Sequence, residues 1–285
     1  MKSAAIISKP GKPELEHLVP EVLRWFRERG YGHVWLDGET AAWVPGLEPI
    51  EREEMPKKKP DFVLVLGGDG TLLAAARAVA PANIPILGVN LGSLGFLTEV
   101  PLDELWDTLV AVDEQRCAFE KRAMLNCRLM RDSQPVVRYD CLNDAVVNKS
   151  AIARLVSFDL YLDKVFVSNY KADGVIISTP TGSTAYALAA GGPILMPSVD
   201  AMVIAPVCPH SLTHRPLVVK DTVEIEIVVK SAGEEAFLSI DGQVGVPVSD
   251  EDRVVCRKSE YYATLLRMRK TFFDVLRTKL KLGIR

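Results

Sequence analysis

Residues 63–79 read VLVLGGDGTLLAAARAV. Four apolar residues end in three glycines that bracket one carboxylate, and a run of helix formers follows at once. An apolar run stopped by glycines reads as a buried strand, and the leucine- and alanine-rich run as a helix. The same alternation surrounds it. AAIIS (4–8) is a buried strand, HVWL (33–36) a second and IPILGV (84–89) a third. Leu15, Leu18, Val19, Val22, Leu23 and Phe26 follow helical spacing toward Gly30, with Pro20 expected to kink that helix or delay its start. LDELWDTLVAV (102–112) is another helix, and the Pro- and charge-rich stretch 45–60 reads as a surface connection holding little core. Strand and helix alternating from residue 4 to about 112 predict an α/β domain, a Rossmann-like parallel sheet covered by helices.

Beyond residue 120 the period becomes two. Val156, Phe158, Leu160 and Leu162 alternate with Ser157, Asp159, Tyr161 and Asp163, and Val223, Ile225, Ile227 and Val229 alternate in the same way. This predicts a β-rich, sandwich-like second domain. Leu265, Met268, Phe272, Leu276 and Leu280 then sit three and four apart, which predicts an amphipathic C-terminal helix returning to the first domain. The expected division is residues 1–118 with 263–285, and 119–262.

The chain has 285 residues, 34 Lys and Arg against 37 Asp and Glu, and a formal net charge of −3. No global basic field exists to recruit nucleic acid or an anionic membrane. Five cysteines, Cys117, Cys127, Cys141, Cys208 and Cys256, form no C-x-x-C pair, so neither a disulfide framework nor a zinc site is expected and they read as reduced core residues. The apolar stretch after Lys2 is too short for a signal-peptide core and no later run could span a membrane, which points to a cytoplasmic protein.

A strand feeding a glycine turn and then a helix presents backbone N–H groups and a positive dipole end, an arrangement that holds phosphates. Neither the dinucleotide fingerprint G-x-G-x-x-G nor G-x-x-x-x-G-K-[ST] is present. A carboxylate among phosphate donors would repel its ligand unless it accepts a proton or holds a metal, so Asp69 is a candidate general base. The alternative is a turn residue capping a helix that begins at Thr71. VIISTPTGSTAYALAAGGP (175–193) repeats the strand, turn and helix pattern, and Thr181, Gly182, Ser183 and Thr184 offer uncharged donors to phosphate or ribose oxygens, or cap a helix. Asn143 and Asp144 interrupt an apolar strand, either to read a nucleobase and ribose or to form an Asx turn. Asp173 and Gly174 raise the same choice. His210 and His214 lack an intervening acid and read as packed structural residues rather than a metal site.

Taken together, GGDGT (67–71), GVNLGSLGFL (88–97), LND (142–144), DGVIISTPTGSTAYALAAGGPIL (173–195), APVCPHSLTHRPLVV (205–219) and IDGQ (240–243) resemble, in order and spacing, the bacterial NAD kinases. The likeness covers residues 60–245, about, and the TPTGSTAY block is its most specific part; GGDG alone is shared with lipid kinases. The resemblance implies transfer of the ATP γ-phosphoryl group to the 2′-hydroxyl of the adenosine ribose of NAD. It implies Asp69 as the base, with Gly67, Gly68, Thr71, Thr181, Gly182 and Ser183 at the phosphates. It places NAD against Gly70, Phe96, Asn143, Asp144, Lys171, Asp173, Thr184, Ala185 and Tyr186. Where the family often has Glu, this chain has the shorter Asp144. His210 matches a family motif without an assigned role. No dedicated metal cage is expected, so Mg²⁺ would arrive with ATP. The resemblance further implies a homodimer or homotetramer, with substrates in a cleft between the domains. The competing readings are a lipid or sphingoid kinase sharing GGDGT, which would need a membrane-binding surface, and a non-catalytic dinucleotide sensor, against which the retained Asp69 argues.

Overall fold

In a computed structural model, residues 1–150, 156–268 and 271–281 are described. The chain forms two compact units, residues 1–121 with 262–285 and residues 122–261.

The first unit begins with β1 (Lys2–Ser8), α1 (Leu15–Glu28), β2 (Tyr31–Leu36), α2 (Gly38–Ala41), α3 (Met55–Lys58), β3 (Phe62–Gly67), α4 (Asp69–Val79), β4 (Ile86–Asn90), β5 (Val100–Pro101) and α5 (Leu105–Asp113). The strands lie in the order β2-β1-β3-β4, all parallel, with β5 beside β4. Every residue of β3 is buried, as a parallel strand covered on both faces requires. Ile6, Leu64, Leu66 and Leu87 pack against Leu15, Val19, Val22 and Phe26 of α1 and Leu105 and Leu109 of α5. On the opposite face α4 lies so close that a Cβ on Gly88 would meet Leu72 Cδ1 at 2.6 Å. Strand order reverses between β1 and β3, and the crevice outside the carboxyl ends of two such strands is where α/β sheets receive ligands.

The second unit contains β6 (Ala118–Arg131), which starts in the first, β7 (Gln134–Cys141), β8 (Asp144–Lys149), β9 (Val156–Leu162), β10 (Val165–Ala172), β11 (Gly174–Ser178), α6 (Tyr186–Ala189), β12 (Ala201–Val207), β13 (Leu217–Lys220), β14 (Ile225–Lys230), β15 (Ala236–Ile240), β16 (Val244–Val248) and most of β17 (Arg253–Arg267). One antiparallel sheet has the order β13-β12-β11-β8-β15-β16; β10-β9-β14-β17, joined by β6 and β7, make the facing layer. The alternating residues meet between them: Phe158, Leu160, Ile225 and Ile227 from one layer pack with Val147, Ile177, Ile204 and Leu238 from the other, the core of a β-sandwich.

Helix α1 runs through Pro20, so of the kink and the delayed start expected there the delayed start does not occur. Three expectations are corrected. The 45–60 stretch is fastened to the core, because Met55 is fully buried and the Arg52 guanidinium holds the buried Asp37 carboxylate at 2.6 and 2.8 Å. Cys208 is exposed, although Cys127, Cys141 and Cys256 are buried as expected. The terminal helix is shorter than the spacing suggested: Leu265 lies in β17, paired with Ile86 of β4, and α7 (Phe272–Leu280) begins only after Thr271. Residues 263–267 are buried without a break, as a strand covered on both faces is, and the capping box formed by Thr271 and Asp274 fixes the helix start. Among the described residues, no helix is long and apolar enough to cross a membrane.

Candidate active site

In the first unit, Gly68 is the N-cap of α4 and makes no side-chain capping bond, and Asp69 is already the first helical residue. The carboxylate of Asp69 therefore does not cap its own helix. It reaches instead to residues 96–98. Its Oδ2 accepts the Phe96 N–H at 2.8 Å. Its Oδ1 accepts the N–H groups of Leu97 at 3.1 Å and Thr98 at 3.0 Å and the Thr98 hydroxyl at 2.9 Å. The amide of Asn90, at the end of β4, donates to that same hydroxyl oxygen at 2.8 Å, which leaves the hydroxyl proton directed at Asp69. Oδ1 is crowded by three donors, whereas Oδ2 receives one and keeps a lone pair available.

Glycines make this approach possible. A Cβ on Gly95 would lie 2.0 Å from Asp69 Oδ1, and one on Gly67 would lie 2.4 Å from Thr71 Oγ1. Gly67, Gly68, Asp69, Asn90, Gly92 and Gly95 line a cavity of about 270 Å³ that also receives Lys9, Lys12 and Lys279. It lies at the carboxyl ends of β1, β3 and β4. A larger cavity of about 630 Å³ opens at the amino ends, beside Lys2, Tyr31, Phe62 and Pro85. The smaller one is the candidate site, because α4 points its N-terminus there.

In the second unit, three segments remote in sequence meet at one end of a sheet, where β8 starts between the ends of β11 and β15. The Asp241 carboxylate accepts the N–H groups of Leu142, Asn143 and Asp144 at 3.2, 2.8 and 3.2 Å. The Asn143 carbonyl accepts from Thr179 N at 2.9 Å, and the Thr179 hydroxyl donates to the Leu142 carbonyl at 2.6 Å. The side-chain oxygen of Asn143 is buried and has no partner; an orphaned buried acceptor calls for a ligand donor or water. Sequence reasoning quoted Asp241 but gave it no task, and it missed Lys9, Lys12, Lys279 and Thr98. The signal for Lys9 and Lys12 was their position directly after a strand of a parallel sheet.

Thr181, Gly182 and Ser183 were expected to hold phosphate, and the packing corrects that reading. Ser183 is fully buried, its hydroxyl donates to the Pro180 carbonyl at 2.6 Å and accepts the Leu195 N–H at 2.9 Å. The Gly182 N–H is taken by the Thr179 hydroxyl at 3.1 Å, and Thr181 Oγ1 faces Arg122 Nη1 at 3.4 Å. These residues brace the turn. A Cβ on Gly182 would stand 2.2 Å from the Asn143 carbonyl oxygen, so Gly182→Ala is expected to cost about 1–3 kcal/mol of stability; an unchanged urea midpoint would show that the turn can yield.

Thr184 and Ala185 are half-buried and Tyr186 is exposed; the Thr184 hydroxyl donates to the Thr181 carbonyl at 3.2 Å. Asp173 lies 3.6 Å from the Lys149 ammonium. Lys171 is exposed and its carbonyl accepts the His210 N–H at 2.8 Å. His214 packs edge-on against Tyr170, as expected, but His210 is exposed.

Asp144 is 4% exposed. Burial first, and the Asp241 carboxylate second, push its pKa up to about 7. The native state keeps this proton to about pH 7, whereas an unfolded chain releases it near 3.8. The native state thus holds more protons in that window, and stability falls as pH rises through it, then levels off. Asp144→Asn is expected to flatten this slope and to gain about 2 kcal/mol at pH 8. Urea midpoints at pH 5 and pH 8 test this, and a slope that persists in the variant would assign the titration to another group.

Residues 4–117 match the family model described as the ATP-NAD kinase N-terminal domain, and residues 142–268 match the ATP-NAD kinase C-terminal domain. The chain is 59% identical over 285 residues to the NAD kinase of Koribacter versatilis and 50% identical over 286 residues to that of Acidobacterium capsulatum, each match covering the whole of both chains. Among solved structures, yeast NADH kinase complexed with NADH superposes with a TM-score of 0.87 at 27% identity, covering 100% of this chain and 89% of the other. An NAD kinase from Archaeoglobus fulgidus in complex with ATP gives 0.78 at 26% identity, covering 99% and 100%. Two family models spanning most of the chain and full-length relatives at this identity agree with the glycine-framed carboxylate: this chain belongs to the NAD kinase family.

Proposed function

We propose that this chain transfers the γ-phosphoryl group of ATP to the 2′-hydroxyl of the adenosine ribose of NAD, giving NADP and ADP. The observation that carries the chemistry is the setting of Asp69. Four donors hold its carboxylate in one orientation, and Oδ2 retains a lone pair for a hydroxyl proton. As the ribose oxygen bonds to the γ-phosphorus, its proton passes to Oδ2, and the bond from phosphorus to the β-bridging oxygen breaks with its electron pair leaving on ADP. Positioning of this kind supplies much of the rate in phosphoryl transfer.

Among the described residues, no group of three or more His, Cys, Asp or Glu is placed to hold a metal. Among the described residues Asp69 is the one carboxylate lining the cavity. Such a site fits Mg²⁺ as a companion of the triphosphate, where it would neutralise phosphate charge. On the dinucleotide side, the orphaned oxygen of Asn143 supports a role in accepting a hydrogen bond from the NAD nucleoside. Asp144, ionised above about pH 7, would accept from a ribose hydroxyl, with Thr184, Ala185 and Tyr186 beside the dinucleotide and Asp173, Lys171, Phe96 and Gly70 as further contacts. The exposed Val165, Phe166 and Val167 on edge strand β10 support a homodimer or homotetramer assembled through the second unit. NADP formation from NAD, ATP and Mg²⁺ tests the reading. A protein that leaves NAD untouched while phosphorylating diacylglycerol would overturn it.

A further inference from the structure

We propose that Lys9, Lys12 and Lys279 form a clamp for the triphosphate of the phosphoryl donor, closed by the C-terminal helix; the inference rests on the function proposed above. The three lysines come from two separate parts of the chain, the loop after β1 and the last turn of α7, and all line the 270 Å³ cavity that contains Asp69. Lys9 and Lys12 follow β1, and Gly67 ends β3 with Gly68 and Asp69 after it, so they occupy the two sides of the point where strand order reverses. The Lys9 N–H is tied to the Leu66 carbonyl at 2.9 Å. A Cβ on Gly67 would press on Lys9 Cβ at 3.2 Å, so glycine lets this lysine stand against the start of α4.

The charges lining the cavity do not balance. Among the described residues three lysines and one carboxylate line it, and that carboxylate is held by four donors from residues 96–98. Lys12 has Glu14 at 3.5 Å, a contact open to water. Among the described residues, neither Lys9 nor Lys279 has an acidic partner; Lys279 instead stands 6.0 Å above the Phe96 ring. Converging cations raise one another's energy unless an anion joins them. The α4 N-terminus, uncapped by any side chain, adds its dipole in the same sense. A polyanion matches this set of donors better than a single phosphate does. Lys279 has a further consequence, because the residue beneath it, Phe96, gives its N–H to Asp69 Oδ2. Closure of α7 over a bound triphosphate would therefore steady the segment that aims the carboxylate.

The triphosphate of ATP and the diphosphate of NAD share this chemistry, and the test separates them. Lys9→Ala, Lys12→Ala, Lys279→Ala and the triple variant are titrated with inorganic tripolyphosphate by calorimetry, and KM is measured for ATP and for NAD. The expected result is tripolyphosphate binding weakened at least about tenfold in Lys9→Ala and Lys279→Ala and further in the triple variant, KM for ATP rising in parallel, and KM for NAD within about threefold of wild type. Tripolyphosphate affinity unchanged in the triple variant would overturn the clamp. So would a rise in KM for NAD with KM for ATP constant, which would give the lysines to the dinucleotide. All three side chains are at least partly exposed, so the variants keep the core intact. A wild type that makes no NADP would overturn the proposed function instead, and the tripolyphosphate titration would still decide the clamp.

Discussion

Asp69→Asn is expected to lower kcat for NADP formation by about a hundredfold or more, the scale lost with a general base. An amide cannot take the ribose proton, and its NH₂ group must also occupy one of the two oxygen positions. At Oδ1 it would meet three donors, and at Oδ2 only the Phe96 N–H. The lower-energy orientation keeps the carbonyl at Oδ1 and sets the NH₂ against Phe96, where a part-buried donor pair costs about 1 kcal/mol. The variant should therefore fold with a modest loss of stability and still bind NAD. Calorimetric NAD binding within a few-fold of wild type, together with the fall in kcat, is the expected pattern. Equal kcat values would leave Asp69 as a brace for residues 96–98 and nothing more.

Asp241→Ala is expected to give the largest loss of stability of any substitution considered. Its carboxylate accepts three backbone N–H groups, and it is buried. Removing it strands those donors at about 1–3 kcal/mol each. Relief of the charge on Asp144 offsets only part, because burial is the larger cause of that residue's raised pKa. Asp241 also has φ of +48°, a conformation that Asp tolerates and Ala does not favour. The expected change is a loss of roughly 3 kcal/mol or more in urea unfolding, with NAD affinity at least about tenfold weaker as Asn143 loses its support. Asp241→Asn can keep its carbonyl at the oxygen that accepts from Asn143 and Asp144 and should fall between the two. A wild-type midpoint in Asp241→Ala would show that residues 142–144 are held by the Thr179 side alone.

Much of the fold was legible. Alternation over Val156, Phe158 and Leu160 and over Ile225 and Ile227 placed buried strand faces correctly, because side-chain direction in a strand depends on neighbours two residues away. The unbroken apolar run of β3 announced a strand covered on both sides. The spacing from Leu265 to Leu280 misled, because a strand buried on both faces followed by a short helix can imitate one helical stripe. The Ser and Thr residues of the TPTGST turn misled differently. Their donor capacity was visible, but not that the chain itself would use it, through Pro180, Leu195 and Leu142.

By itself the sequence determined which residues could carry chemistry: an acid framed by glycines, an amide and acid breaking an apolar strand, a hydroxyl-rich turn. These follow from local sterics and periodicity. Only the tertiary structure decided what each one faces. Asp69 meets residues 27 to 29 positions away, and Asp241 holds backbone nearly a hundred residues earlier. Lys279 reaches a cavity built by the first hundred residues. Such pairings are set by strand order and by which strand ends lie side by side, and the energy that selects that order is spread over the whole buried core rather than written at any one position.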